Sequence, residues 1–312
     1  MENLIFRVCE NEDIFDVIEF CNLNGFTPRT VEDWLGGNIQ AALVWDKDQL
    51  IGAIPFYRRK INIGNDYVSE CGHFTAVAID ENWRSKGLGS ALLKYVINNF
   101  DLDALYVNSS EDDLAYKWYQ RNGFEKLSDV SFYKLDSGDN FIKNSNITVQ
   151  KLCVELLSDH LTGNLLNAFS IANANYGGFE KRDFEFWKKK LKYHYYRSYN
   201  EYYLISDTYR SSSPYIIASI NSYPGREKSI DVLEFAFEDE KMLSSLIIGL
   251  QEMGSSFEIN KIRFPLNNQS SVSSFLKNKG FLEDGNFSIL YYSIKNQKKN
   301  TLRYRYFHFD YA

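Results

Sequence analysis

Metal centres and disulfide frameworks need clustered cysteine or histidine, and this sequence has little of either. Its 312 residues hold four cysteines (Cys9, Cys21, Cys71, Cys153) and four histidines (His73, His160, His194, His308), all scattered. None falls at C-x-x-C or other metal-ligand spacing, so neither a disulfide scaffold nor a metal site is expected. The five prolines add little to the fold argument. No run approaches the ~20 apolar residues that cross a bilayer. The opening MENLIFRVCENED lacks the basic flank and apolar stretch of a signal peptide. A soluble, cytoplasmic protein with no membrane partner is the expectation. An excess of positive charge is missing as well: the net charge of −6 gives no drive toward nucleic acid or anionic lipid, and mildly favours a cationic or neutral ligand.

What is abundant is core material. The apolar fraction is 44%, with 22 Tyr and 23 Phe, the opposite of a disordered composition. At this length two domains of similar size are expected. Along the first half the patterns predict a strand at 3–8, an amphipathic helix at 13–22 with Ile14, Phe15, Val17, Ile18 and Cys21 mostly on one face, and a capped helix at 30–35. Apolar runs at 41–45 and 50–57 flank a polar turn and read as a hairpin. A strand at 74–80, a helix at 84–98, a strand at 104–108, a helix at 112–121 and a strand near 132–135 follow.

The polar, turn-rich stretch from Gly138 to Asn146 marks a domain boundary. The expected layout is a catalytic domain at 1–138, a linker at 139–146, a second domain at 147–297 and a tail at 298–312. After the boundary the same order begins again: strand 147–152, helices 154–172 and 182–192, strands 202–206, 215–220 and 230–237, helix 241–253, strand 261–266, helix 270–277 and strand 287–294. Asn122-Gly123-Phe124 and Lys279-Gly280-Phe281 close equivalent helices, an offset of 157 residues (280 − 123). The chain therefore reads as α/β (α+β, mixed-sheet), with an internal repeat.

The chemistry concentrates at Arg84-Ser85-Lys86-Gly87-Leu88-Gly89, where a strand runs through a glycine loop into a helix. Glycines at the fourth and sixth positions remove Cβ atoms, so phosphate oxygens can approach the main chain. The helix start adds unpaired N–H groups and the positive end of its dipole. A pyrophosphate is the expected guest, held from Arg84 through Ser90 chiefly by backbone amides, with charge added by Arg84 and Lys86. The spacing is neither GxGxxG nor GKS/T, so this is not a Rossmann turn or a P-loop. Taken alone, two glycines favour the plainer reading of a helix packed closely on its strand.

The segment Val77-Ala78-Ile79-Asp80-Glu81-Asn82-Trp83-Arg84-Ser85-Lys86-Gly87-Leu88-Gly89-Ser90 resembles the acetyl-CoA motif of the GNAT superfamily of N-acetyltransferases, R/Q-x-x-G-x-G/A after an apolar strand. Downstream, Ala115-Tyr116-Lys117-Trp118-Tyr119-Gln120-Arg121-Asn122-Gly123-Phe124 resembles that family's A-x-x-x-Y-x-x-x-G-F helix. The resemblance covers roughly residues 3–135 and implies a mostly antiparallel mixed sheet flanked by helices. It implies acetyl-CoA as cosubstrate, and main chain near Val77, Ala78 and Ile79 that pairs the pantetheine arm and polarises the thioester carbonyl while an amine attacks directly. It implies Tyr119 as general acid for the leaving thiolate; the plainer reading of Tyr119 is a core aromatic. Where the family often has a pantetheine-binding Asn this chain has Asp112, which accepts but, ionised, does not donate. For the base, Glu70 and His73 precede the strand on the side where acceptors enter in relatives, and His73 suits neutral pH better.

Carried by 157 residues, Arg84, Gly87 and Gly89 fall on Lys241, Ser244 and Leu246, and Tyr119 falls on Leu276. The second half thus resembles a degenerate GNAT domain, as in tandem members such as the enhanced-intracellular-survival-type aminoglycoside acetyltransferases, and is expected to wall the acceptor pocket. The basic, aromatic tail suggests an extra strand or a docked segment rather than a single-stranded nucleic-acid platform, and its end, Ala312, is a further candidate base. The function expected is N-acetylation of a small-molecule primary amine. The competing readings are a non-catalytic acyl-CoA sensor or interaction protein, in which Tyr119 is dispensable, and an aminoacyl transferase of the peptidoglycan type, which generally lacks an intact coenzyme loop.

Overall fold

A computed structural model describes residues 4–26, 31, 34, 39–64, 67–136, 146–174, 176–177, 179–192, 199–207, 213–222, 227–267, 271–295 and 303–304. In chain order the elements are β1 (Leu4–Val8), α1 (Ile14–Leu23), β2 (Ile39–Asp46), β3 (Gln49–Gly64), β4 (Tyr67–Phe74), β5 (Ala78–Ile79), α2 (Leu88–Asn99), β6 (Ala104–Ser109), α3 (Leu114–Arg121) and β7 (Glu125–Asp136). They continue with β8 (Ile147–Leu152), α4 (Asp159–Asn173), β9 (Tyr176–Gly177), β10 (Phe179–Glu180), α5 (Phe184–Lys192), β11 (Tyr199–Asp207), β12 (Tyr215–Asn221) and β13 (Ser229–Ala236). Last come α6 (Glu240–Ser256), β14 (Lys261–Asn267), α7 (Ser271–Asn278), β15 (Leu282–Ser293) and β16 (Arg303–Tyr304). Of the helix expected at 30–35, Val31 and Trp34 are described and are helical, with Trp34 buried; its other residues and most of the linker and tail, Ala312 included, lie outside the described residues.

The chain divides into two compact units. Unit one holds Met1–Ile61, Asp66–Leu127 and Ser288–Asn300; unit two holds Asn62–Asn65, Ser128–Phe287 and Thr301–Ala312. In unit one the strands run β1-β2-β3-β4-β6 and then the second half of β15. β1–β2, β2–β3 and β6–β15 pair antiparallel, and β4 pairs β6 in parallel. In unit two the order is the first half of β15, then β7-β14-β13-β12-β11-β8, with β13 and β14 parallel. Both sheets are the mixed, mostly antiparallel kind that the element order predicts. Each takes its last strand from the opposite half of the sequence. Leu290 pairs with Val107 in the core of unit one, and Tyr133 pairs with Phe264 in the core of unit two. Both side chains are almost fully buried (0% and 1% exposed), an enclosure that stabilises each by about 1.5–3 kcal/mol.

Alternation along the strands explains the layers of unit two. Ile216 and Ala218 point into one apolar cluster with α6, while Tyr215 and Ile217 point into another with Trp187 of α5. β13 is covered on both faces, so all eight of its residues are buried, including Glu234. That carboxylate accepts from Arg182 Nε at 2.6 Å and from the Tyr215 hydroxyl at 2.7 Å. β16 pairs in parallel with β9 within this unit, so part of the tail does form an extra strand.

Several expectations need correction. On α1 the buried stripe is Ile14, Val17 and Cys21, whereas Phe15 is 75% exposed because it lies about 100° round the helix from Ile14. The strand expected at 74–80 is interrupted: β4 ends at Phe74 and only Ala78–Ile79 returns to the sheet. The helix expected from Arg84 begins at Leu88, because Ser85 (φ 61) and Gly87 (φ 82) are left-handed. The helix expected at 154–172 is a short 3-10 turn followed by α4, whose Ser158 cap accepts from Leu161 N–H at 3.1 Å.

The repeat holds at the level of single hydrogen bonds. Helices α3 and α7 have the same length and the same 157-residue offset as their glycines (271 − 114, 278 − 121). Gly123 and Gly280 have φ of 90° and 89°, and the N–H groups of Phe124 and Phe281 close the caps on Tyr119 O (3.1 Å) and Leu276 O (3.0 Å).

Candidate functional site

The site in unit one begins where two parallel strands part. β4 and β6 pair only from Cys71↔Ala104 to His73↔Tyr106. Beyond that rung the chain from Thr75 to Asp80 stays with β3 alone, through Thr75 N–H to Pro55 O (3.0 Å), Ala78↔Ala53, Ile79↔Gly52 and Asp80 N–H to Ile51 O (2.9 Å). The sheet is therefore open between residues 75–79 and 107–109.

At the end of β5 the loop is tied down by its own arginine. Arg84 Nε donates to Ile79 O at 2.9 Å, and its guanidinium donates to Asn24 Oδ1 at 2.9 Å. Gly87 takes its left-handed φ with nothing within 4 Å of a would-be Cβ, so backbone geometry is what demands glycine there. At Gly89 an added Cβ would sit 3.4 Å from the Trp118 ring, an ordinary contact, so alanine fits there and only a larger side chain would collide with the ring. The first N–H of this segment with a backbone acceptor is Ala91, bonded to Gly87 O at 3.1 Å. Those of Ser85 through Ser90 have no backbone acceptor among the described residues, which leaves a fan of donors at the positive end of α2.

These parts line one cleft of about 680 Å³. Of the residues singled out from sequence, Val77, Ala78 and Ile79 wall it on one side, and Arg84, Ser85, Gly87, Leu88, Gly89 and Ser90 form its loop. Tyr119 lines it from α3, where it lies between Trp118 and Phe124 at ring distances of 5.0 and 5.2 Å. Burial pushes its hydroxyl well above the ordinary value of 10.0, so it stays protonated and able to donate. Tyr119 is thus a core aromatic that also lines the cleft.

Four of the singled-out residues do not line the cleft. Lys86 places its ammonium 5.4 Å over the Trp83 ring. Asp112 is exposed in the turn before α3. Glu70 is held by Arg58 Nε at 3.3 Å and Lys60 at 3.6 Å, and its N–H is held by Asp103 at 2.8 Å. His73 is buried on the last rung before the opening. Conversely, Asn24, Phe26, Trp118 and Arg121 line the cleft without having been singled out. Asn24 was invisible because its role depends on a partner 60 residues away, whereas Trp118 and Arg121 lay inside the quoted helix motif. Among the described residues, no helix is long and apolar enough to cross a membrane, and no group of three or more His, Cys, Asp or Glu is placed to hold a metal ion.

Unit two closes the equivalent position. Its α6 starts at Glu240, so the residues matching the loop, Lys241 to Ser244, are wound into helix. The carboxylate of Asp239 accepts from Met242 N–H at 2.7 Å and fills the helix start with the protein's own negative charge. Leu276, fully buried, stands where Tyr119 stands in unit one.

Residues 38–126 match the family described as acetyltransferase (GNAT) domain. That stretch is similar to a GNAT domain. GNAT proteins carry out acyl transfer and generally use acetyl-CoA. No curated protein matches the sequence significantly. Solved structures do match in shape. A probable N-acyltransferase from Enterococcus faecalis V583 superposes with TM-score 0.70 at 13% identity, over 94% of this chain and 73% of that one. A GCN5-related N-acetyltransferase from Anabaena variabilis ATCC 29413 gives 0.68 at 12% identity, over 93% and 73%. A tandem GNAT protein from the clavulanic acid biosynthesis pathway gives 0.62 at 11% identity, over 95% of this chain and 100% of that one. At such identities the likeness is one of fold, and the fold is that of a tandem GNAT protein whose second half lacks the R-x-x-G-x-G loop.

Proposed function

We propose that the GNAT domain is an N-acetyltransferase that moves the acetyl group of acetyl-CoA to a primary amine of a small molecule, by direct attack with both substrates bound. The observation that carries this reading is a single cleft shared by the N–H fan of Ser85–Ser90, the parted strand Val77–Ile79 and the buried Tyr119. The fit to the coenzyme is physical. A fan of unpaired donors at a helix start suits a pyrophosphate, and an unpaired strand edge suits an amide-bearing arm.

The coenzyme supplies an activated acyl thioester. The chain's own residues do the rest. The loop amides bind phosphate chiefly through main chain, and the exposed Arg84, which also holds Ile79 O and Asn24 Oδ1, adds positive charge beside them. Main chain of Val77–Ile79 orients the arm and offers donors toward the carbonyl. Tyr119 holds a proton at its hydroxyl for the departing sulfur, and burial keeps that proton in place at neutral pH. Of the two base candidates, His73 sits on the last rung before the gap, while Glu70 lies three residues earlier and is already ion-paired. One active site per chain follows, because the equivalent helix start in unit two is capped by Asp239.

The test is free-thiol release from acetyl-CoA across a panel of small primary amines, with calorimetry against CoA alone. Thiol release that depends on one class of amine is expected. CoA binding without release from any amine would overturn the catalytic half of the reading.

A further inference from the structure

We infer that Asn24 is a positioning residue for the coenzyme loop: it holds the Arg84 guanidinium on the cleft wall and leaves its charge uncancelled. This rests on the coenzyme reading above and goes beyond it, because Asn24 acts through Arg84 and need not touch the coenzyme. The end of α1 fixes where Asn24 stands. Gly25 is left-handed (φ 84), and around it Asn24 N–H bonds to Phe20 O and Phe26 N–H to Cys21 O, both at 3.1 Å. The Asn24 side chain then joins two elements. Its Nδ2 donates to Phe20 O at 2.9 Å, and its Oδ1 accepts from the Arg84 guanidinium at 2.9 Å. Arg84 Nε donates to Ile79 O at 2.9 Å, so the arginine is held at two points, one of them on a helix 60 residues away.

What Asn24 holds Arg84 against is a second cleft, of about 590 Å³, which both residues also line. Five carboxylates line it as well: Asp16, Glu19, Asp48, Asp80 and Glu81. Among the described residues Arg84 forms an ion pair with none of them. An exposed arginine beside so many carboxylates is drawn to pair with one, and a carboxylate that clasps a guanidinium cancels its charge. An amide oxygen accepts the same hydrogen bond and is neutral. Arg84 therefore keeps its full positive charge on the wall it shares with Ser85, Gly87, Leu88, Gly89 and Ser90, where the reading above puts an anion. Asn24 is the side chain that keeps it there.

A double-mutant cycle read by calorimetry with CoA, with thermal unfolding alongside, tests this without turnover. Asn24→Ala is expected to weaken CoA binding about 3- to 10-fold, the net effect of losing one hydrogen bond to a guanidinium. In an Arg84→Ala chain the same replacement is expected to change affinity by less than about twofold, since no guanidinium is left to hold. Both backgrounds lose the Nδ2 bond to Phe20 O alike, so the cycle cancels any effect of the helix end itself. Asn24→Asp keeps an acceptor for Arg84 but cancels its charge. It is expected to bind CoA no more tightly than Asn24→Ala at low ionic strength, with the deficit shrinking as salt is added. An equal loss on Asn24→Ala in both backgrounds would mean that Asn24 acts without Arg84 and would overturn the inference. Wild-type affinity in either Asn24→Ala or Asn24→Asp would overturn it too, leaving the coenzyme reading intact. A wild-type chain that does not bind CoA would sink both.

Discussion

Replacing Tyr119 by Phe isolates one atom. The ring stays between Trp118 and Phe124, at 5.0 and 5.2 Å, so the core contacts survive. The hydroxyl makes no hydrogen bond among the described residues, and its raised pKa comes from burial alone. Its removal therefore changes stability by less than about 1 kcal/mol. If the hydroxyl delivers the proton to the leaving sulfur, kcat falls about 10²–10⁴-fold. That is about 2.7–5.4 kcal/mol of barrier, at ~1.36 kcal/mol per tenfold. KM for acetyl-CoA and the calorimetric affinity for CoA stay within about twofold, since an interaction made only in the transition state does not alter ground-state binding. Tyr119→Ala is the wrong variant, because emptying a buried aromatic site costs about 3–5 kcal/mol and confounds chemistry with folding. The assay is initial-rate thiol release with the best amine, alongside thermal unfolding. The wild-type kcat should show no alkaline loss from this group below about pH 10, because burial holds its proton beyond the value of 10.0 for free tyrosine. A Phe variant with unaltered folding and kcat within twofold of wild type would refute the acid role and leave Tyr119 a core aromatic.

Other perturbations give equally direct readouts. Gly87→Ala meets no heavy atom but places an alanine at φ 82, a strain of about 1–2 kcal/mol, so weaker CoA binding with only modest loss of stability is expected by calorimetry and thermal melts. Gly89→Ala is expected to bind CoA within a few-fold of wild type, whereas Gly89→Leu displaces the Trp118 ring 3.4 Å away and abolishes measurable binding. In unit two, Glu234→Ala leaves Arg182 buried without its carboxylate and removes the acceptor of Tyr215. A urea titration should show unit two destabilised by about 3–5 kcal/mol. Burial also raises the hydroxyls of Tyr119, Tyr202 and Tyr215, so above about pH 10 the unfolded chain loses these protons first. Stability, full below that pH, should therefore fall as pH rises, as denaturant midpoints at pH 9 and 11 would show.

By itself the sequence determined the order of elements, the 157-residue repeat, the glycine loop and the tyrosine helix. Each is a local signal: periodicity, a left-handed glycine, or a helix cap whose bonds span five residues. It also determined that the second half lacks the loop, since glycines at 87 and 89 have Ser244 and Leu246 as counterparts. Tertiary structure decided what depends on partners far along the chain. Arg84 reads in sequence as a phosphate cation; that its exposed guanidinium also ties the loop to Asn24, 60 residues earlier, and to the Ile79 carbonyl is visible only in the structure. The break between β4 and β5 arises because Thr75–Asp80 follows β3 and leaves β6, a choice between neighbouring strands that no window of apolar residues records. The exchange of last strands is of the same kind. Val107 and Leu290, like Tyr133 and Phe264, are ordinary apolar strand residues until pairing across more than 130 positions decides which core each one fills. Hydrophobic periodicity specifies which face of a strand is buried, and only three-dimensional packing specifies against what.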